Sequence, residues 1–370
     1  GPIQLFTGSL ANSASADFSS SASGTAILAA GFDGASNIAQ LSGTPISLGA
    51  PNGRWLLYVQ DDSQPVLGMP YAFLQYGSTY PKTALGSGDG IVFAQPAVLT
   101  LRSAQSPSKT YDATTSVPAL PPASLSVAGL RPGQQLGTPL QAPTLAFVQP
   151  DVGSGIATTI GVFDPAVHDG QGRPVFGYTF ESAITGDITP RPLTLSAVVA
   201  ADKVYDGTRT ATLSGGTLGN LVAGETLGLG YAGALFDTAD VGAGKLVSGA
   251  VALSDGLGRA SNYRLSAGVA TARASIEPAT LTYLADPVTA FRGLLPSVYT
   301  GSVGGFVGEE TLSGATTGSL RFRALAADDA AAGVYPIEGG GLLAGNYVFV
   351  QAPSNATALT VVDPAAANEV

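Results

Sequence analysis

The stretch VVAADKVYDGTRTATL, residues 198–213, decides the fold, because residues 102–120 say nearly the same thing: RSAQSPSKTYDATTSVPAL. Lys203, Tyr205, Asp206, Gly207 and Thr208 of the one stand against Lys109, Tyr111, Asp112, Ala113 and Thr114 of the other. Either a reactive site or a structural unit has been written twice. An Asp-Gly pair after a short strand is turn chemistry. The carboxylate accepts from nearby backbone N–H groups, and glycine supplies a positive φ. The tyrosine before it is then expected to pack inward. A lone catalytic centre is not expected twice in tandem, and the first copy puts Ala113 where the glycine should be. The motif reads as a mark of fold.

Self-comparison carries this further. The first copy continues through Asp151-Val-Gly153 and Gly177-Tyr-Thr-Phe180 and closes on Pro190. The second continues through Asp240-Val-Gly242, then Asn262-Tyr263-Arg-Leu265, and closes on Pro278. A third unit lacks the Tyr-Asp landmark but keeps the later ones. Gly308-Glu-Glu-Thr311 answers Gly224-Glu-Thr226, Ala332-Gly-Val334 takes the Asp-Val-Gly slot, and Asn346-Tyr347-Val-Phe349 follows. The order is kept while the spacing drifts, as happens when changes fall in loops. The expected segments are a connector or cap over 1–98, modules over 99–190, 191–278 and 279–362, and a tail over 363–370. Two joins place a proline before an alternating strand, PRPLTLSA (190–197) and PATLTYLA (278–285), which a strand's first residue tolerates. With no spacer between them, neighbouring modules should be stiffly coupled.

Composition points the same way. Only 11% of the 370 residues are charged, while Gly 49 and Pro 25 are plentiful, which favours short strands and tight turns over amphipathic helices. The predicted class is mainly β. GSLRFRAL (318–325) alternates Leu320 and Phe322 with Arg321 and Arg323, the period of a half-buried strand. A formal charge of −10 with 16 Lys+Arg and no basic cluster argues against nucleic acid. Absence of cysteine excludes disulfides and thiolate chemistry, and suits an exported bacterial β protein. No run reaches the ~18 apolar residues of a membrane helix. Gly1-Pro2 reads as a protease scar, so the chain is expected to be a piece of a longer protein.

The motifs also carry a resemblance. KVYDGT, a Gly/Leu-rich strand, the Asp-Val-Gly turn and NYRL together resemble a YDG-type module. Residues 301–362 are similar to the MBG, or "mostly β-grasp", repeat. Residues 53–99, from GRWLLYV to GSGDGIVFAQPAVL, resemble the connector that follows the haemagglutinin-type β-helix in large exoproteins of two-partner secretion. The resemblance implies tandem β-grasp-like modules in an elongated array, from a secreted, filamentous-haemagglutinin-like adhesin on the surface of a Gram-negative bacterium. It further implies an outer-membrane secretion partner, acting through other parts of the parent chain.

His168 is the single histidine; a Ser-His-Asp triad would need it, with Asp164 or Asp169 as orienting carboxylate. No nucleophile elbow supports one, and a zinc site with N/S ligands lacks donors. Asp61-Asp62, Glu309-Glu310 and Asp328-Asp329 are adjacent pairs whose members point apart on a strand, and none has the spacing of a calcium loop. Asn355-Ala-Thr357 is a glycosylation sequon. Trp55, Tyr58, Tyr71, Phe73, Tyr76 and Tyr80 form the densest aromatic group. They are expected as core, with Trp55, Tyr58, Tyr71 and Tyr76 as candidate ligand contacts if the cluster instead stacks on sugar rings. The expected function is a non-enzymatic stalk or display segment. It would need no cofactor or metal, insert in no membrane and exist as a monomer. A specific glycan- or receptor-binding region is the alternative, and an extracellular polysaccharide-active enzyme the third class.

Overall fold

A computed structural model of the chain describes residues 54–59, 61–62, 70–79, 82 and 84–364 in full. It also gives the backbone strands Gln4–Thr7, Asp17–Ser19, Thr25–Ala30 and Ser47–Gly49. Gly1-Pro2 and Tyr80 lie outside the described residues. Two compact units divide the chain, Gly1–Pro190 and Arg191–Val370. The fold is mostly β, and Leu312–Ala315, capped by the Thr311 side chain, is the one α-helical turn among the described residues.

In the first unit, strands Gln4–Thr7, Thr25–Ala30, Arg54–Val59, Gly90–Phe93 and Phe73–Gln75 lie side by side, all parallel. Asp17–Ser19 and Ser47–Gly49 pair in parallel on a second sheet. A parallel sheet thus stands where the sequence suggested only a connector or cap. A parallel strand at the middle of a sheet is covered on both faces, which explains the unbroken WLLYV run. Trp55, Leu57 and Val59 face one core with Tyr76, Ile91 and Phe93. Leu56 and Tyr58 face another with Phe73, Ala84 and Val92. Two glycines make room for Phe73. A Cβ on Gly86 or Gly90 would stand 2.3 Å or 2.0 Å from its ring. The same sheet continues through Pro174–Phe176, Val167–His168 and Gln135–Leu136, so one sheet and one core run across residue 98.

The recurring architecture is a three-stranded sheet facing a four-stranded one. In residues 97–190 the first sheet runs Leu125–Ala128, Ala97–Ser103, Tyr178–Ser182. The second runs Leu145–Phe147, Gly153–Ile160, Thr185–Thr189, Ser108–Thr110. In the second unit Leu213–Gly219, Arg191–Ala200 and Tyr263–Leu265 repeat the first sheet. Lys203–Val204, Val269–Glu277, Gly242–Asp255 and Leu227–Phe236 repeat the other. In each first sheet the opening strand pairs in parallel with a late one, Ala97–Leu101 with Tyr178–Ser182 and Arg191–Leu193 with Tyr263–Leu265.

Residues 279–362 follow the same plan. Ala279–Ala285 pairs in parallel with Tyr347–Gln351 and antiparallel with Gly301–Gly304. The other face is split in two, Val288–Phe291, Leu359–Val362, Gly333–Tyr335 and Thr317–Ala324 with Ile337–Leu343. Here Val288–Phe291 occupies the place of the strand Lys203–Val204, pairing in parallel with the closing strand as that one does. The third module has thus kept the strand while losing the Tyr-Asp motif that follows it. Alternation does what period 2 requires. Leu281 and Tyr283 are buried on one side of Ala279–Ala285, and Arg321 and Arg323 are exposed while Leu320 and Phe322 turn inward.

Candidate functional site: the joint between consecutive modules

The Lys-x-Tyr-Asp motif is a closed loop built twice to the same plan. Lys203 Nζ donates to Asp206 Oδ1 at 2.6 Å and to the Thr208 carbonyl at 2.8 Å. Asp206 Oδ1 also accepts from the Thr208 backbone N–H and hydroxyl, each at 2.8 Å. The first copy repeats these bonds with Lys109, Asp112 and Thr114, at 2.6 Å for both lysine bonds and 2.9 Å for the backbone N–H. Each lysine lies over a fully buried phenylalanine ring, Phe236 for Lys203 and Phe147 for Lys109. The lysine hydrogen bond holds the Asp206 carboxyl at about 2, below the usual carboxylate range. At Asp112 burial pulls upward, and the bonds from Lys109 and Thr114 outweigh it to leave the value lowered. Gly207 has φ +73°, as a turn glycine should; Ala113 is held at φ +62° in the same place. The aspartate is a turn clasp, with every contact local.

Tyr205 does something the turn reading did not contain. It is buried in a core that its own module shares with the following one. Its hydroxyl donates to Glu310 Oε1 at 2.6 Å, and its ring meets the ring of Tyr347 edge-on at 5.4 Å. Tyr347 donates to the other oxygen of Glu310 and accepts from the Val307 N–H at 2.9 Å. Beside them Asn346 clasps the Asp-Val-Gly turn of the preceding module. Its Oδ1 accepts from the Val241 N–H at 3.0 Å, and its Nδ2 donates to Asp240 Oδ1 at 3.1 Å. The hydrogen bond to the Glu310 carboxylate, with burial, lifts the Tyr205 phenol to about 12, and burial together with the same carboxylate raises Tyr347. Both phenols are therefore donors at any physiological pH.

These residues are the landmarks by which the repeat was recognised. Tyr205 and Asp240-Val241 form one half of a joint, and Glu310 with Asn346-Tyr347 forms the other. One apolar core surrounds them, running from Tyr205, Phe236, Val247 and Ile276 to Ala279, Leu281 and Tyr347 without a spacer.

The receiving half recurs. In residues 191–278 Tyr263 donates to Glu225 at 2.6 Å and accepts from the Val222 N–H at 3.1 Å. In the first unit Tyr178 donates to Gln134 at 2.5 Å and accepts from the Arg131 N–H at 3.3 Å. In all three the acid or amide stands three residues after the N–H donor. The Gln134 socket also holds a tyrosine from the preceding segment. Tyr76, 5.3 Å from the Tyr178 ring, accepts from Gln134 Nε2 at 3.1 Å and donates to Asp62 at 3.0 Å. Burial and the neighbouring Asp62 carboxylate raise its phenol well above the usual value.

Tyr111 and Asn262 are buried. Trp55, Tyr58 and Tyr76 are also buried, with ring faces inside the cores, and give a saccharide no stacking surface. Tyr71 is half-buried, and its face is covered by the Arg173 guanidinium 3.3 Å from the ring centre. The carboxylate of Asp169 accepts from Tyr71 at 2.9 Å and Arg173 at 2.7 Å, and His168 is absent from its partners. It is engaged as a structural ion pair and does not orient an imidazole. Asn355 is 2% exposed; its amide donates to the Tyr283 carbonyl and its oxygen accepts from the Ala285 N–H, each at 2.9 Å. A glycan cannot be attached there in the folded protein. No group of three or more His, Cys, Asp or Glu suited to a metal ion occurs among the described residues. Among the described residues no helix is long and apolar enough to cross a membrane. An open cleft of about 460 Å³ lined by Asp164, His168, Phe176 and Phe180 is the one concavity that gathers a histidine and a carboxyl among the clefts described.

Comparison with known families bears directly on the joint. Residues 189–272 match the YDG domain, and residues 281–357 match the MBG domain of the YGX type. The chain therefore contains a YDG domain followed by an MBG domain, consistent with an MBG/YDG repeat region. No curated protein matches the chain. The two matched segments are the two halves that Tyr205, Glu310 and Asn346 join, so Tyr205 stands at the boundary between the two matched domains.

Proposed function

We propose that this chain is a non-enzymatic segment of a secreted bacterial surface adhesin, serving as a stiff stalk or display region. The observation that carries the reading is where the repeated polar residues go. Tyr205, Asp240, Glu310 and Asn346 are committed to fixing the MBG module on the YDG module, and none of them lines the clefts described. Consecutive modules that share a core transmit orientation along the chain, which a flexible linker does not. Low charge with a net negative sign suits solubility outside the cell. On this proposal the chain acts alone as a monomer, and secretion depends on an outer-membrane partner that recognises other parts of the parent protein.

The test is a glycan-array and host-cell binding screen with the purified chain. Retention of no saccharide and no cell-surface protein is expected. A saccharide that is retained, and lost on His168→Ala or Phe180→Ala in the open cleft, overturns the stalk in favour of a recognition domain.

A further inference from the structure

We infer that the recurring landmarks of this repeat encode a phenol-and-socket joint, and that this joint sets which segment can follow which and at what angle. The inference rests on the stalk reading and adds its specificity-determining residues. The plug is a tyrosine hydroxyl. The socket is a tyrosine on a late strand whose hydroxyl accepts a backbone N–H and donates to a Glu or Gln three residues further on.

Two filled sockets support this independently. Tyr205 enters the Glu310–Tyr347 socket from a KVYDGT loop. Tyr76 enters the Gln134–Tyr178 socket from a segment with no such motif. What the two plugs share is the phenol, not the surrounding sequence, so the phenol is what the socket recognises. The sockets differ in one respect that matters for specificity. The Glu310 carboxylate can only accept, so it selects a donor. The Gln134 amide donates to Tyr76, which leaves that hydroxyl free to donate onward to Asp62. At the Glu310 joint a second clasp fixes the rotation that one hydrogen bond would leave open. Asn346 takes both a donor and an acceptor from the Asp240-Val241 turn.

The recognised partner is thus a β module presenting a buried tyrosine beside an Asp-x-Gly turn. A module with phenylalanine at the plug lacks the donor that the acidic socket requires.

The chain holds no cysteine, so Thr217→Cys and Ser319→Cys, both on exposed strand positions, place one spin label on each side of the joint in the full chain. Electron–electron distance measurement is expected to give a single narrow distance. Tyr205→Ala with Asn346→Ala should lose that narrow distance while far-UV circular dichroism is kept. Glu310→Gln should retain it, because an amide already serves in the other socket, and Glu310→Ala should broaden it. A distance that stays narrow in the Tyr205→Ala/Asn346→Ala chain overturns the joint code and leaves the stalk standing, its stiffness then residing in the apolar core. A broad distance in the unsubstituted chain overturns both. If the double variant loses its circular dichroism, Tyr205→Phe and Glu310→Ala are read in its place, and a narrow distance in both rejects the inference.

Discussion

Replacing Glu310 by alanine tests the joint most directly, and its cost can be worked from the contacts. Glu310 accepts hydrogen bonds from two tyrosines, both buried. Hydrogen bonds to a charged acceptor contribute about 1.5–3 kcal/mol each, and leaving a buried donor unmet costs about 1–3 kcal/mol. Glu310 itself is half-buried, so water can reach part of the vacated space, and the low end of the range applies. Two bonds at the low end give a loss of about 3 kcal/mol, against a folding stability of roughly 5–15 kcal/mol for a domain. Glu310→Gln keeps an acceptor for at least one phenol, and should cost about 1 kcal/mol. Urea unfolding followed by peptide-resolved hydrogen exchange measures this in the full chain. Peptides from 203–208, 240–247 and 346–351 should lose protection together. The single tryptophan, Trp55, lies in the first unit, and its fluorescence reports that unit separately. A change below about 0.5 kcal/mol in Glu310→Ala, the range of an ordinary surface substitution, would refute the reasoning. So would Glu310→Gln proving as harmful as alanine.

Further outcomes are expected. Ala113→Gly should raise stability by about 1 kcal/mol, because a left-handed conformation costs an L-residue roughly that much and φ is +62° there; a thermal melt that falls instead would show that the Ala113 methyl packs. Gly90→Ala forces a Cβ to within 2.0 Å of Phe73, and overpacking of this kind costs about 1–3 kcal/mol, read as an earlier Trp55 transition. Asp206 has a folded value lowered to about 2 from 3.8. Its contribution is complete above about pH 4 and is lost as pH falls toward 2. The carboxylate is well exposed, so the effect is that of a surface pair, about 0.2–1 kcal/mol. Asp206→Asn should remove that share of the acid slope in a pH series of melts, and an unchanged slope would assign it elsewhere. Intact mass after expression in a glycosylating host should show Asn355 unmodified, since its side chain is fully engaged in the fold.

Composition and self-similarity were enough to settle the class of fold. Few charges, many glycines and period-2 alternation leave little but short strands, and a landmark order kept through drifting loops marks tandem units. The Asp-Gly turn was legible for the same reason: its contacts span Lys203 to Thr208, and local geometry follows from local sequence. The parallel stack at the N-terminal end was less so, because a strand buried on both faces shows no alternation, and WLLYV alone does not say which neighbours it takes. What the sequence could not show is why the landmarks recur. Tyr205 and Glu310 are 105 residues apart, as are Val241 and Asn346, and no period or turn rule links positions at that separation. Read within one module, Tyr205 is an inward-facing aromatic next to a turn. Folding brings a loop near the start of one module against the Glu310–Tyr347 socket of the next, and the same hydroxyl becomes a donor to a carboxylate on the other side of the boundary. The identity of each landmark was written in the chain, while its meaning as half of a contact exists only once both halves have met.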